Sequence, residues 1–240
     1  MTPRWWAAPL VLVPLALALA ACGGSSEVPA AAPAAAESPT AAAAPAPAVP
    51  AARKVVFLGD SLTAGLGLPI AQAYPSLIEA RLRARDRGWV VVNAGVSGDT
   101  SAGGLRRLEW SMDGGAAIVV VALGGNDGLR GLPVDDLSRN LDAIVGQAKA
   151  AGADVVVAGM EAPPNTGPDY TRRFRAVYGE VAARHGATLL PFLLDGVAGE
   201  LALNQADGIH PNQEGARRVA DHVWRVLEPL VEARERAATE

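Results

Sequence analysis

Val55-Val56-Phe57-Leu58-Gly59-Asp60-Ser61-Leu62-Thr63-Ala64-Gly65 is the stretch whose reading decides the fold. Four consecutive apolar residues, rich in β-branched and aromatic side chains, read as a buried strand. The glycines that bracket Asp60-Ser61 read as a tight turn leading towards a helix. A serine in such a turn presents its hydroxyl at the carboxyl end of a strand, where open α/β sheets place their ligands. Serine is a weak nucleophile until a base takes its proton and donors receive the oxyanion. In an ordinary strand-to-helix turn the same serine would only cap the helix, so the rest of the chain has to supply the partners.

From Arg53 onward, strand-like and helix-like patterns alternate. The predicted strands are Lys54–Leu58, Trp89–Asn93, Ile118–Leu123, Asp154–Ala158 and Thr188–Leu190. Helical patterns cover Tyr74–Arg85, Gly104–Glu109, Asp135–Ala150, Thr171–His185 and Gln213–Arg234. Alternation of this kind implies an α/β fold, a three-layer α/β/α sandwich around a parallel sheet. Five strands suggest the flavodoxin-like order 2-1-3-4-5. Residues 53–240 fit one domain by length, without internal repeats.

Residues 1–22 read as a targeting segment. Arg4 opens it, an apolar run follows from Leu10 to Ala21, and Leu19-Ala20-Ala21-Cys22 resembles a bacterial lipobox. The run is short for a membrane span and is interrupted by Pro14. A secretory signal cut near Ala21 is the competing reading. Lipidation at Cys22 is favoured because small residues precede the chain's only cysteine. Residues 23–52, almost wholly Ala and Pro, offer no face to pack and read as a disordered tether. Extended as polyproline II, that tether would reach about 90 Å. The expected setting is therefore the periplasm or cell envelope, with a membrane held through the N-terminal lipid. A lone cysteine excludes a disulfide framework and a cysteine-based metal site. The net charge of −4 carries no basic patch, which argues against nucleic acid. Neither G-x-G-x-x-G nor a Walker lysine is present, so no nucleotide cofactor is expected.

Three stretches after predicted strands are candidate partners for Ser61. In Asn93-Ala94-Gly95-Val96-Ser97-Gly98-Asp99-Thr100 the glycines let backbone N–H groups approach a ligand, although a turn capped by Asp99 or Thr100 would look the same. In Gly124-Gly125-Asn126-Asp127-Gly128 the Asn126 amide is a neutral oxyanion donor, or part of a plain Asn-Asp-Gly turn. In Asp207-Gly208-Ile209-His210-Pro211-Asn212 a carboxylate three residues before an imidazole can meet its Nδ1 and leave Nε2 facing a serine. His185 and His222 lie in helical patterns without such a carboxylate and read as surface or packing residues. The G-x-S-x-G elbow is absent.

Together, in this order, these blocks resemble the SGNH (GDSL-type) hydrolases, with the strongest likeness to the bacterial periplasmic thioesterase I/lysophospholipase/arylesterase branch. The likeness runs from about Val55 to the end of the last helix. It implies Ser61 as nucleophile, His210 as base and Asp207 as its orienting partner. It implies an oxyanion hole made by the Ser61 and Gly98 N–H groups and the Asn126 amide. It further implies that Gly128–Leu132 closes over an acyl chain, and that neither metal nor cofactor is required. The lipobox, the tether and Pro163-Pro164-Asn165 depart from the family pattern.

The function expected is hydrolysis of aryl esters, short to medium acyl esters or thioesters, or lysophospholipids, by a monomer acting on small substrates. A carbohydrate O-deacetylase of the same superfamily and a non-enzymatic lipid- or glycan-binding lipoprotein are the alternatives. The N-terminal reading has its own test. Cys22→Ser should move the mature chain from the membrane to the soluble fraction; identical distribution of variant and parent would contradict lipidation.

Overall fold

The computed structural model describes residues 53–238. The signal segment 1–22, the tether 23–52 and Cys22 lie outside the described residues. Five strands, β1 (Arg53–Gly59), β2 (Trp89–Gly95), β3 (Ile118–Ala122), β4 (Asp154–Ala158) and β5 (Thr188–Leu190), form one sheet. All pairings are parallel and the order is β2-β1-β3-β4-β5, as the alternation predicts.

The sheet centre explains why β1 and β3 read so clearly. Val55–Leu58 and Ile118–Val121 are buried on both faces, so their sequences are continuous apolar runs. Each such side chain contributes roughly 1.5–3 kcal/mol on burial. β2 lies at an edge and buries only Trp89 and Ala94, and β5, at the other edge, is only three residues long.

Among the described residues, seven α-helices complete the layers: α1 (Ser61–Ala64), α2 (Tyr74–Ala84), α3 (Ser101–Ser111), α4 (Gly125–Leu129), α5 (Val134–Ala150), α6 (Pro168–His185) and α7 (Gln213–Ala237). α2 packs on α7, whereas α5 packs on both α3 and α6, which gives one helical layer on each face. The α5 stripe Val134, Leu137, Leu141, Ile144, Val145 and Ala148 is buried at helical spacing. α3 starts earlier than its apolar pattern because the Thr100 side chain caps it by accepting from Gly103 N. α7 runs past Arg234 because Glu235 in its last turn accepts from Trp89 Nε1 and binds Arg85. α4 is not among the helical patterns read from the sequence. Gly124 adopts φ +108°, a backbone conformation open to glycine, and starts this short helix.

Register brings the ends of three strands level. Gly59 pairs with Gly95 on one side and with Ala122 on the other. The chain leaves β1 towards β2 on one side and β3 on the other, which makes the β1/β3 crevice the topological switch point. α1 lies directly across these ends. A Cβ on Gly95 would sit 2.2 Å from the Ala64 nitrogen and 2.7 Å from its Cα. Gly95→Ala should therefore lower the thermal stability by roughly 1–3 kcal/mol. Gly179→Ala, inside α6 and 3.8 Å from Leu189, should leave stability unchanged or raise it. Equal melting temperatures for the two variants would contradict this packing.

Candidate active site

Ser61 is the first residue of α1, and Asp60 is its N-cap, with Oδ1 accepting from Leu62 N at 3.0 Å. The short helix is fastened from beneath by Thr63, which is fully buried. Thr63 Oγ1 and Tyr74 Oη lie 2.8 Å apart, Asn93 Nδ2 donates to Thr63 O at 2.9 Å, and Tyr74 packs edge-on against Phe57 at 5.6 Å. Burial holds the Tyr74 hydroxyl well above the usual phenol range, so it serves as a neutral hydrogen-bonding anchor. Sequence reading passed over Thr63, Tyr74 and Asn93. The Thr63 signal was its position two residues after the serine, where a side chain faces back into the sheet.

The loop before α7 brings His210 to Ser61. His210 Nε2 lies 2.9 Å from Ser61 Oγ, and His210 Nδ1 lies 2.7 Å from Asp207 Oδ2. A carboxylate can only accept, so Nδ1 carries the proton and Nε2 is free to accept from the serine hydroxyl. Asp207 is itself fixed. Its Oδ1 accepts from His210 N at 3.0 Å and from Ile209 N at 2.9 Å. The N–H groups of His210 and Ile209, followed by the imidazole, hold this carboxyl down at about 2. It therefore stays ionised throughout the neutral range, although it is exposed to solvent.

Asn126 lies in the first turn of α4, at the end of β3 across the switch point. Its Nδ2 donates to Asp99 O at 2.9 Å and stands 3.4 Å from Asp60 Oδ2. One N–H is thus firmly engaged, and the other is held only by a long contact in the cleft beside Ser61. Asp127 locks the helix from behind, accepting from Ser101 N at 2.8 Å and from Ser101 Oγ at 2.5 Å. Gly98 sits in the exposed loop after β2 at φ +81°. Two bonds tie that loop to α4: Asn126 to Asp99 O, and Arg130 Nη2 to Gly98 O at 2.7 Å.

Ser61, Asn126 and His210 line one cleft of about 450 Å³. Its walls are largely apolar, with Leu129, Met160, Pro163, Pro164, Phe192 and Ile209 among them. The Pro163-Pro164 departure is thus part of the cleft wall, and Leu129 is the member of the Gly128–Leu132 segment that reaches it. The other histidines stand elsewhere. His222 Nε2 bonds Phe192 O at 2.9 Å, a packing tie. His185 does have a carboxylate, contrary to expectation: Asp142 Oδ1 lies 2.8 Å from its Nε2. That partner comes from α5, so spacing along the chain could not reveal it.

A model of the GDSL-like lipase/acylhydrolase family matches residues 57–218. Esterase TesA of Pseudomonas aeruginosa is 45% identical over 182 residues, covering 75% of this chain and 90% of that protein. An arylesterase of Vibrio mimicus is 36% identical over 178 residues, with 74% and 89% covered. Thioesterase 1/protease 1/lysophospholipase L1 of Escherichia coli is 37% identical over 182 residues, with 75% and 86% covered. A crystal structure of TesA superposes with a TM-score of 0.71 at 45% identity, covering 74% of this chain and 99% of that one.

Asp60 supplies a prediction. It is 2% exposed, and burial pushes its carboxyl from 3.8 up to about 6, against the pull of Leu62 N–H and of His210. As pH rises, the unfolded chain ionises first, so stability falls from about pH 4 and levels off above about pH 6. Asp60→Asn keeps a capping oxygen and cannot ionise. Relative to the parent, it should gain about 2–3 kcal/mol between pH 4 and pH 7, whatever constant offset the amide introduces beside Asn126. Parallel stability curves over that range would show that this carboxyl is not raised. Asp207 acts oppositely, its stabilisation being lost as pH falls through about 2. It is common to both proteins and cancels.

Proposed function

The chain belongs to the GDSL-like lipase/acylhydrolase family, and on that premise we propose that Ser61, His210 and Asp207 are the catalytic residues of this serine ester hydrolase. The observation that carries the assignment is the unbroken chain Ser61 Oγ–His210 Nε2, 2.9 Å, and His210 Nδ1–Asp207 Oδ2, 2.7 Å, opening into an apolar cleft.

His210 takes the Ser61 proton as Oγ attacks the acyl carbonyl. Negative charge develops on the carbonyl oxygen and is received by the Ser61 and Gly98 N–H groups and by the Asn126 amide. For Asn126 the available N–H is the one at 3.4 Å from Asp60, since the other is spent on Asp99 O. His210 then protonates the departing alcohol or thiol, leaving the acyl group on Ser61 Oγ. Water, deprotonated by His210, releases the acid. Asp207 holds the imidazole in the required tautomer and stabilises its charged form.

The substrates are aryl esters and short to medium acyl esters or thioesters, with lysophospholipids as a further class. Relatives named esterase, arylesterase and thioesterase/lysophospholipase support this range. The apolar cleft wall favours an acyl chain over the acetylated sugar of a deacetylase. The N-terminal reading adds export, and anchoring through lipidated Cys22.

A fluorophosphonate should label the parent chain stoichiometrically on the peptide that holds Ser61, and labelling should vanish in Ser61→Ala. Asn126→Ala should fold and lose about 10²–10³ in kcat with little change in KM, because its donor serves charge present only during reaction. An unlabelled serine, or full kcat without Asn126, would overturn the assignment.

A further inference from the structure

Arg107 lies in the second half of α3. The structure turns it inwards, and its side chain is only 16% exposed. Its planar fork meets three segments of chain. Nη2 donates to Gly59 O at 2.8 Å, Nη1 to Ala94 O at 2.6 Å, and Nε to Asp99 Oδ2 at 2.7 Å. Gly59 O immediately precedes Asp60-Ser61. Ala94 O lies at the end of β2. Asp99 closes the loop that holds Gly98, and its carbonyl receives the Asn126 amide.

We propose that Arg107 is a positioning residue that fixes the oxyanion loop against the nucleophile turn. The proposal rests on the catalytic assignment above. Two backbone contacts hold this loop: Val96 N donates to Gly59 O at 3.0 Å, and Asp99 N donates to Val96 O at 3.0 Å. Neither spans from the Ser61 side to Asp99. The Arg107 guanidinium does, and it links groups on which the geometry of two oxyanion donors depends, Gly98 through the loop and Asn126 through Asp99 O. The carboxylate has room to reach it because position 103 lacks a side chain; a Cβ on Gly103 would lie 1.7 Å from Asp99 Oδ1. A lysine offers one compact ammonium and cannot serve three acceptors spread around a planar fork. Donors shifted by a fraction of an ångström no longer meet the oxyanion, which is a loss of rate and not of substrate affinity.

The test compares parent, Arg107→Lys, Asn126→Ala and the double variant, all in the full chain, with a p-nitrophenyl ester as substrate. Fluorophosphonate labelling and thermal melting are run alongside. Arg107→Lys should melt cooperatively above the assay temperature and lose about 10- to 100-fold in kcat with KM unchanged. In the Asn126→Ala background the same change should cost much less, because the two residues act through one donor set. Independent, multiplicative effects, a loss confined to KM, or undiminished kcat would overturn the proposal. If Arg107→Lys does not fold, Asp99→Asn weakens the same contact from the other end and is judged by the same readouts. A parent that is labelled at Ser61 and turns over ester while these results fail removes only the role of Arg107. A parent that is not labelled removes the catalytic assignment as well.

Discussion

The site depends on α1 lying flat across the ends of β1 and β2. Ser61 can face His210 only because nothing projects between this helix and the sheet. Gly59 and Gly95 are paired across the two strands, and a Cβ on either would strike α1, the first at Thr63 Oγ1 (2.0 Å) and the second at the Ala64 backbone (2.2 Å). With that space free, Thr63 drops into the core to meet Tyr74, and the serine two residues earlier is left at the cleft. Ser61 is therefore positioned by packing beneath it more than by anything it touches itself. Such rigidity suits the proposed nucleophile, which has to stay within hydrogen-bonding reach of His210 on a loop 149 residues away along the chain.

Around this seat, polar groups are arranged so that each has one firm duty. Asp207 is saturated by two backbone donors and the imidazole, which fixes both its charge and the ring it orients. Asp127 is wholly occupied with the start of α3. Asn126 differs, having one N–H committed to Asp99 O and the other resting on a long contact with a buried carboxyl. A donor so weakly engaged costs little to redirect when an oxyanion forms, whereas a donor in a short neutral bond would first have to break it. Asp60 thus combines two roles, capping α1 and giving the resting Asn126 amide a partner that does not hold it tightly.

Legibility followed burial and locality. β1 and β3 are central in a parallel sheet, so their apolar runs announced both strands and, through alternation with helices, the strand order. The pair Asp207 and His210 was readable because it is local: three residues and one turn bring the groups together. Asn126 was readable as an amide after a strand, and Gly98 only through the family resemblance. What escaped was placed by tertiary structure. Arg107 in α3 looks like any solvated arginine until the sheet edge is built beside it. Thr63, Tyr74 and Asn93 form one cluster from three segments. Asp142 reaches His185 from another helix, and no periodicity along either element indicates it. α4 escaped because a five-residue helix begun by two glycines has the composition of a turn.

The most direct measurement is the crystal structure of the chain after phosphonylation at Ser61, in which the phosphonyl oxygen occupies the place of the carbonyl oxygen of a reacting ester. That oxygen should lie within about 3 Å of Asn126 Nδ2 and of the Gly98 nitrogen, with the amide drawn away from Asp60 and the Asp99 contact intact. A phosphonyl oxygen turned to solvent, with Asn126 still resting between Asp60 and Asp99, would contradict it.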